Sequence, residues 1–489
     1  MIPVLTKEQA YQLDKDTVEN DCLSQEKLMD NAGKKIAQFF CERIKKPFNQ
    51  KVLIACGKGN NGGDGIIAHS YLKYYGVSSE IIFTEKKCGH SELLKKYKIP
   101  KSDYSAYNDK AKFDQYDWII DGIFGIGFSR TVTSKYINMF EKINLISNVI
   151  SIDIPSGIYV NAESFGTKNI KAKHTLALGA PKIGSYFFEN RNDIGNMHIL
   201  DIGLKNFNST SFVVNKNYVK KKIKNIRYKN NITKYDKVAS IYAGSDKYPG
   251  AAIFACNAAF KAGSGYINIQ GEFTDKTSNI IESNCSEAVL NNQLKHDNLL
   301  IGPGLNKNFN LQLYLSKTLP NDYRDNTTMI IDASALNSDC INLPEIYNNI
   351  SFIRTPHLDE LIKMFNLNSD ISYSLFELIE LIRNSSNNDD ITILKGPSTF
   401  IIADDIVYII DNAPSLLATA GTGDVLSGIL VSLLSQGYSR LEAALLGTYL
   451  HAESANYYID NISKDGMTAS DLINCIPPAF NILRENYGY

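Results

Sequence analysis

The sequence has no Cys-x-x-Cys pair. Its eight cysteines, Cys22, Cys41, Cys56, Cys88, Cys256, Cys285, Cys340 and Cys475, are scattered, several of them in apolar surroundings. That spacing reads as buried reduced thiols, not as a metal cluster or a disulfide framework. No apolar run reaches membrane-spanning length, and the start, Met1-Ile2-Pro3-Val4-Leu5-Thr6-Lys7, lacks signal-peptide architecture. Net charge is also nearly absent, at −1 from 51 basic and 52 acidic residues. Without a bulk positive potential there is no electrostatic case for nucleic acid or an anionic membrane as partner. No Walker A lysine loop occurs. These absences leave a cytoplasmic enzyme acting on small molecules as the expectation.

What is present is long and ordinary in composition. A chain of 489 residues, 44% hydrophobic and 21% charged, exceeds one core and predicts two or three soluble domains. Two amphipathic helices are expected between Thr6 and Arg43, the second interrupted at Asp30-Asn31-Ala32-Gly33. Strands are expected at Lys51 to Cys56, Ser79 to Phe83, Trp118 to Asp121 and Val149 to Asp153, with a helix from Ile66 to Tyr75. That alternation is the rhythm of a parallel α/β sheet. Residues 206–237 are polar and rich in lysine and asparagine, and read as a solvated linker that includes Lys220-Lys221-Lys222. A domain boundary is therefore expected near residue 215, separating domains 1–215 and 216–489. The second half alternates again, through Val238 to Tyr242, Ala251 to Ala262, Leu299 to Ile301, Met329 to Asp332, Ile391 to Leu394, Val425 to Leu434 and Leu441 to Tyr458.

Two glycine-acid loops stand out, Asn60-Asn61-Gly62-Gly63-Asp64-Gly65 and Gly421-Thr422-Gly423-Asp424. Each opens an apolar helical stretch, and a helix start offers free N–H groups and a positive dipole end to phosphate. Gly57-x-Gly59-x-x-Gly62, with Glu85 downstream, literally satisfies the dinucleotide fingerprint, so a dehydrogenase is one reading and a structural turn without ligand is another. Asp64 at the helix start argues against a pyrophosphate there. Asp121 with its glycine-rich turn and Asp153-Ile154-Pro155-Ser156-Gly157 also follow strands, and ligands of parallel sheets sit beyond such strand ends. Asn61, Asp121 and Ser156 offer hard oxygen donors that suit an alkali cation better than zinc.

Met29-x-Asn31-Ala32-Gly33, the run Gly57 to Gly65, the Asp121 turn with Arg130, and Asp153 to Gly157 together resemble the NAD(P)H-hydrate epimerase family. The resemblance implies a Rossmann-like three-layer αβα domain that interconverts the R and S forms of hydrated NADH or NADPH. It implies substrate contacts from Asn60, Asn61, Gly62, Gly63 and Asp64, from Gly125, Ile126, Gly127, Phe128, Ser129, Arg130 and Thr131, and from Asp153. It also implies K+ on Asn61, Asp121 and Ser156. Asp153 is the expected general acid/base.

Leu417 to Gly428 resembles the anion-hole and base motif of the ribokinase-like superfamily. Tyr248-Pro249-Gly250-Ala251, Gly302-Pro303-Gly304, Thr355-Pro356-His357, Lys395-Gly396 and Asp465 to Leu472 narrow the likeness to the NAD(P)H-hydrate dehydratases, from about Lys234 onward. The implied second domain is a ribokinase-like αβα fold. The implied hydrate contacts are Ala251, Gly304, His357 and Asp424. Lys395, Gly396, Pro397, Ser398 and Thr399, with Pro414, Ser415, Leu416, Leu417, Ala418, Thr419, Ala420, Gly421, Thr422 and Gly423, would hold ADP (or ATP). Mg2+ would screen its phosphates, and Asp424 would be the catalytic base. Asn306, Ser334 and Leu358-Asp359 depart from that family's pattern. The implied whole is a bifunctional repair enzyme, commonly a homo-oligomer in this family. The competing readings are a small-molecule kinase carrying a nucleotide-binding domain, and a nucleotide sensor without turnover.

Overall fold

The computed structural model describes residues 1–489 except 21–22, 87–88, 163–167, 189, 224–232, 291–297, 319–326, 348, 388 and 485–489. It divides into two compact units, 2–211 with 372–377, and 212–371 with 378–489 and residue 1.

The first unit is built on a parallel sheet of β1 (Lys51–Cys56), β2 (Ser78–Phe83), β3 (Tyr104–Ala106), β4 (Trp118–Gly122), β5 (Val149–Ile152), β6 (His174–Leu178) and β7 (Asn196–Leu200). Their order is β3-β2-β1-β4-β5-β6-β7, every neighbouring pair parallel. Alternation along β1 assigns the faces. Val52, Ile54 and Cys56 pack with Ile36, Phe40, Ile66 and Leu72 of α2 (Gln25–Arg43) and α3 (Asn60–Tyr74). Leu53 and Ala55 pack with Tyr136, Met139 and Phe140 of α4 (Ser134–Asn144). Period-2 strands between two helical layers give the three-layer αβα sandwich. A further helix, α1 (Lys7–Asn20), buries Ala10, Leu13 and Thr17.

Two details differ from the sequence expectation. First, α2 runs unbroken through Asp30-Asn31-Ala32-Gly33. Gly33 is there for proximity: a Cβ would lie 2.5 Å from Ile67 Cγ2 of α3. Second, α3 begins at Asn60, not Ile66, so the glycine loop is itself the first turns of the helix. Glycine inside a helix costs about 0.5–1 kcal/mol relative to alanine. Here closeness demands it, because a Cβ on Gly62 would meet the Gly57 carbonyl oxygen at 2.0 Å.

The second unit carries β8 (Val238–Ser245), β9 (Tyr266–Glu272), β10 (Val289–Leu290), β11 (Asn298–Ile301), β12 (Thr327–Ile331), β13 (Ile350–Arg354), β14 (Ile391–Leu394), β15 (Thr399–Ala403) and β16 (Ile406–Ile410). They lie in the order β16-β15-β14-β13-β12-β11-β8-β9-β10. The pairs from β14 to β10 are parallel, and β14-β15-β16 is an antiparallel extension. One face packs Ala239, Ile241, Leu300, Ile330 and Ile353 into a core with α5 (Pro249–Ala262), α7 (Thr422–Ser435), α8 (Arg440–Asn461) and α9 (Ala469–Arg484). The other face (Leu299, Ile301, Met329, Ile331, Phe352) is equally buried. The short helix α6 (Leu358–Met364) follows β13.

Part of the expected linker is folded. Lys216–Lys222 is a helix capped by the Asn215 side chain, which accepts the Tyr218 N–H at 3.0 Å. Fully buried Val219 anchors it in the core, and Lys220, Lys221 and Lys222 form its last turn, where the dipole favours cations. Ser211–Val213 is a strand and Lys234–Asp236 a 3-10 turn, while residues 224–232 of that stretch lie outside the described residues. Cys56, Cys256, Cys285, Cys340 and Cys475 are buried cysteines and Cys41 is half-buried. Cys22 and Cys88 also lie outside the described residues. No described helix is long and apolar enough to cross a membrane.

Candidate active sites

In the first unit the chain order reverses at β1, which has β2 on one side and β4 on the other. Ligands of open α/β sheets bind beyond the carboxyl ends at such a reversal. A cavity of about 880 Å³ opens there. Its walls include Asn60, Asn61 and Asp64 after β1, the turn Ile123 to Arg130 after β4, Asp153 after β5, and Leu178 and Lys182 after β6. Asp14 of α1 also lines it.

Asp153 holds a left-handed backbone, φ 68°, a conformation that costs a non-glycine residue about 1–3 kcal/mol. Its carboxylate is fixed from behind. Oδ1 accepts from the Leu178 N–H at 3.2 Å and from the Lys182 ammonium. Lys182, 3% exposed, also donates to the carbonyls of Leu178 at 3.2 Å and Ala180 at 2.9 Å. All three ammonium protons are thereby used. Burial pushes the Asp64 carboxyl well above the ordinary range, and Asp153 and Asp14 add to the rise. That rise favours the protonated form of Asp64, which lies in the first turns of α3.

Asn61, Asp121 and Ser156 do come together. Asn61 Nδ2 donates to the carbonyls of Phe124 at 2.7 Å and Ile152 at 3.1 Å. Fully buried Asp121 accepts from Ser156 Oγ at 2.6 Å, the Ser156 N–H at 2.9 Å, Ser151 Oγ at 2.9 Å and the Ile123 N–H at 3.1 Å. The Phe124 carbonyl lies 3.4 Å from Ser156 Oγ and links the two groups. The set offers a carboxylate, a hydroxyl, an amide and a carbonyl.

Of the residues expected at the first site, Asn60, Asn61, Asp64, Asp153 and the run Gly125 to Arg130 line the cavity; Gly62, Gly63 and Thr131 do not. Gly62 lies under Gly57, and a Cβ on Gly63 would meet Met29 Sδ at 2.7 Å, so both are packing positions. Glu85, the candidate ribose acid, reaches the cavity but pairs with Lys58 at 2.5 Å. Sequence reasoning missed Lys182 and Asp14. Asp14 did leave a signal: it follows Ala10 by four and precedes Thr17 by three, on the buried stripe of α1.

In the second unit the order reverses at β8, between β9 and β11. The turns after β8 and β11 are stitched together, Gly244 N–H to the Pro303 carbonyl at 2.8 Å and Ser245 Oγ to the Gly304 carbonyl at 2.7 Å. Gly304, φ 66°, has room for nothing larger: a Cβ would stand 2.6 Å from Ala251 Cβ and 2.7 Å from the Tyr248 carbonyl oxygen. Ala251 and Gly304 are thus neighbours.

Asp424 lies in the first turn of α7, whose cap Gly421 is left-handed at φ 89°. Burial raises the Asp424 carboxyl to about 7; Asp332 and Glu360 add to the rise and Lys395 opposes it. Asp332, 1% exposed, accepts from Lys395 Nζ at 3.0 Å, Thr355 Oγ1 at 2.7 Å and Ser427 Oγ at 2.7 Å. Burial works against ionisation of Asp332, yet Lys395, Ser427 and Thr355 outweigh it and hold the group below its ordinary range. Lys395 Nζ is also 3.7 Å from Glu360 Oε2. His357 caps α6 with Nδ1, which accepts the Glu360 N–H at 3.3 Å, so the neutral ring carries its proton on Nε2. A β-bridge to Lys395 sets His357 beside the lysine.

Lys395 to Ser398 form the turn between β14 and β15, which Thr399 opens, and Ser398 Oγ donates to Asp411 at 2.8 Å. The Pro414 to Gly423 loop is braced internally, Thr422 Oγ1 donating to the Leu417 carbonyl at 2.7 Å. Its residues Ala418, Thr419 and Ala420 remain exposed. His451, from α8, donates through Nε2 to the Thr422 carbonyl at 2.9 Å. Burial depresses its pKa to about 4, so it is a neutral prop behind the loop. Sequence reasoning missed Asp332, Glu360 and His451 as parts of this site. Ser334, at one of the family departures, donates to the Leu305 carbonyl at 2.9 Å and ties down the Gly302-Pro303-Gly304 turn.

A family described as NAD(P)H-hydrate dehydratase matches residues 239–478, and one described as YjeF-related protein N-terminus matches residues 25–184. Bifunctional NAD(P)H-hydrate repair enzyme Nnr of Dictyoglomus turgidum is 29% identical over 94% of this chain and 95% of its own. The likeness to that enzyme runs over nearly the whole chain and so takes in both matched regions. NAD(P)H-hydrate epimerase of Plasmodium knowlesi is 28% identical over 39% of this chain and 70% of its own. Among solved structures, the ADP/ATP-dependent NAD(P)H-hydrate dehydratase from Bacillus subtilis, co-crystallised with ATP and Mg2+, is 24% identical. It covers 55% of this chain and 97% of its own with a TM-score of 0.46. Two different families thus match the two halves of this one chain.

Proposed function

We propose that this chain repairs hydrated NADH and NADPH, the first unit interconverting the R and S hydrates and the second dehydrating the S form at the expense of a nucleotide. ADP, giving AMP and phosphate, is the proposed co-substrate. The observation that carries the reading is Asp424, a carboxyl held near pH 7 beside the N-terminal N–H groups of α7, with Lys395 and Asp332 around it.

Hydroxide is a poor leaving group, so the second unit must convert it. Asp424 takes the proton of the hydrate hydroxyl, and a base titrating near the working pH suits that task. The freed oxygen attacks the terminal phosphorus of the nucleotide, and the bond to the remaining nucleotide breaks with its electron pair. The amides at Gly421 and Gly423 meet the charge that builds on the phosphoryl oxygens. The C–O bond of the new ester then breaks, its pair leaving with phosphate as the ring nitrogen lone pair moves in. The neighbouring carbon loses a proton and the dihydronicotinamide is restored. Asp332, Glu360 and Asp424 surround a single lysine, an excess of hard oxygen donors that fits Mg2+ shared with phosphates. Glu360 would be one of the residues holding it, and the ion would supply positive charge that neutralises the phosphates.

In the first unit, hydroxide leaves from the carbon next to the ring nitrogen and water returns on the other face. Asp153 is the proposed acid/base; its Oδ1 is pinned by Lys182 and Leu178, which aims the carboxylate. Asn61, Asp121 and Ser156, with the Phe124 carbonyl, form an all-oxygen set carrying one carboxylate. That set fits K+, which would supply positive charge beside the bound substrate.

The test supplies R hydrate alone, with Mg2+ and either nucleotide, and follows the return of dihydronicotinamide absorbance. Full recovery from the R form is the expected result. Recovery from S but not from R would remove the epimerase half of the reading.

A further inference from the structure

We infer that Asp14 is a second catalytic acid–base group in the first unit's cavity, the partner of Asp153 on the opposite side of the proton traffic. The inference rests on the epimerase reading above. Inversion by loss and return of water needs a proton delivered to the departing hydroxyl on one face and a proton removed from the incoming water on the other. One carboxylate fixed by its backbone serves one face.

Asp14 comes to the cavity from α1, Asp153 from the end of β5, so the two acids stand on separate elements of one wall system. Asp14 is half-buried on the side of α1 that buries Ala10, Leu13 and Thr17. A carboxylate placed there for structure would be hydrogen-bonded. Asp14 has no hydrogen-bond partner among the described residues, and only burial and the charges of Lys182 and Asp153 act on it. Asp153 is the opposite case, locked by Lys182 and the Leu178 N–H. Burial raises the Asp14 carboxyl to about 6, which keeps a proton-bearing population close to neutral pH. Lys182, Asp153 and Asp64 line the same cavity. Lys58, Glu85 and Arg130 also line the walls, the first two paired with each other, and Lys15 and Glu19 share α1 with it.

The step balances without any further reactant. The Asp14 carboxyl gives its proton to the hydrate hydroxyl, the C–O bond breaks with its pair on oxygen, and water departs. The ring nitrogen lone pair forms the C=N bond. Water adds from the other face, its proton passes to Asp153, and the π pair returns to nitrogen. The reverse epimerisation starts with Asp153 as the acid, and exchange with solvent resets the pair.

The experiment measures epimer exchange without nucleotide, using the full chain and chromatographic separation of the R and S hydrates, across pH 5 to 9. Asp14→Asn should lower kcat by about 100-fold, within the range one general acid supplies, with KM changed less than about threefold. Wild type should show kcat/KM falling above pH about 6, and Asp14→Asn should abolish that fall. Asp14→Glu should restore part of the rate together with the limb, and it carries the same comparison should Asp14→Asn fail to fold. A substantial wild-type rate kept by Asp14→Asn, or a lowered rate with the pH profile unchanged in shape, overturns the inference and leaves the epimerase reading standing. Absence of exchange in wild type overturns both.

Discussion

Lys395 and Asp332 form a 3.0 Å ion pair beside Asp424 at the carboxyl end of the second sheet. The pair sets the field in which the proposed base works. Asp332 pushes the Asp424 proton affinity up and Lys395 pulls it down, leaving the carboxyl at about 7. The base acts in its ionised form, so dehydration should rise with pH through about 7 and then level off. Asp332→Asn removes a negative neighbour and should move that limb to lower pH by about one unit; Lys395→Met should move it up by a similar amount. The check is kcat/KM against pH for the three proteins. A limb that stays put in both variants would detach it from Asp424.

His451 supplies a stability prediction. In the unfolded chain an imidazole binds a proton below its ordinary 6.5, whereas the buried ring does so only below about 4. Between those values the unfolded state holds more protons, so stability falls as pH drops. The full effect is on the order of 3 kcal/mol. Chemical denaturation at pH 7 and pH 4.5 should show this loss in wild type, and His451→Gln should show less of it.

Gly62 permits the closeness of α3 to β1. Gly62→Ala puts a methyl against the Gly57 carbonyl, a backbone clash that no rotamer relieves, and should destabilise the first unit by about 1–3 kcal/mol. Thermal unfolding with intrinsic fluorescence reads it, since Trp118 is in that unit's core.

Monovalent ions test the oxygen set around Asn61. Replacing K+ with choline should slow epimer exchange several-fold and lower the first unit's melting temperature, because a ligand bound only by the folded state stabilises it. Asp121→Asn should be slow in either salt. Equal rates in K+ and choline would remove K+ from the account.

Much of this was legible in the sequence because strand ends announce themselves. Lys51 to Cys56, Trp118 to Asp121 and Ile391 to Leu394 are apolar runs stopped by glycine, aspartate or lysine, and a buried parallel strand needs that pattern. Asp121 was visible as an acid at such a stop, and Asp424 as the acid of a glycine loop that opens a helix. Lys182 was not: a lone lysine after Pro181 looks like solvated surface, and only the fold shows it 3% exposed with carbonyls and a carboxylate to satisfy it. His451 lay in the middle of a long helical pattern, and its partner, the Thr422 carbonyl, is 29 residues away. Gly33 was read as a helix break because propensity is local, while its reason, Ile67 on the neighbouring helix, is tertiary.

The central claim is that Asp424 turns the hydrate hydroxyl into a phosphate ester that leaves. The direct measurement is inorganic phosphate released alongside dihydronicotinamide absorbance regained, with S hydrate, ADP and Mg2+, for wild type and Asp424→Ala. The account predicts one phosphate per nicotinamide restored in wild type and loss of both signals in the variant. A stable phosphorylated product without absorbance recovery, or a variant that still turns over, would contradict it.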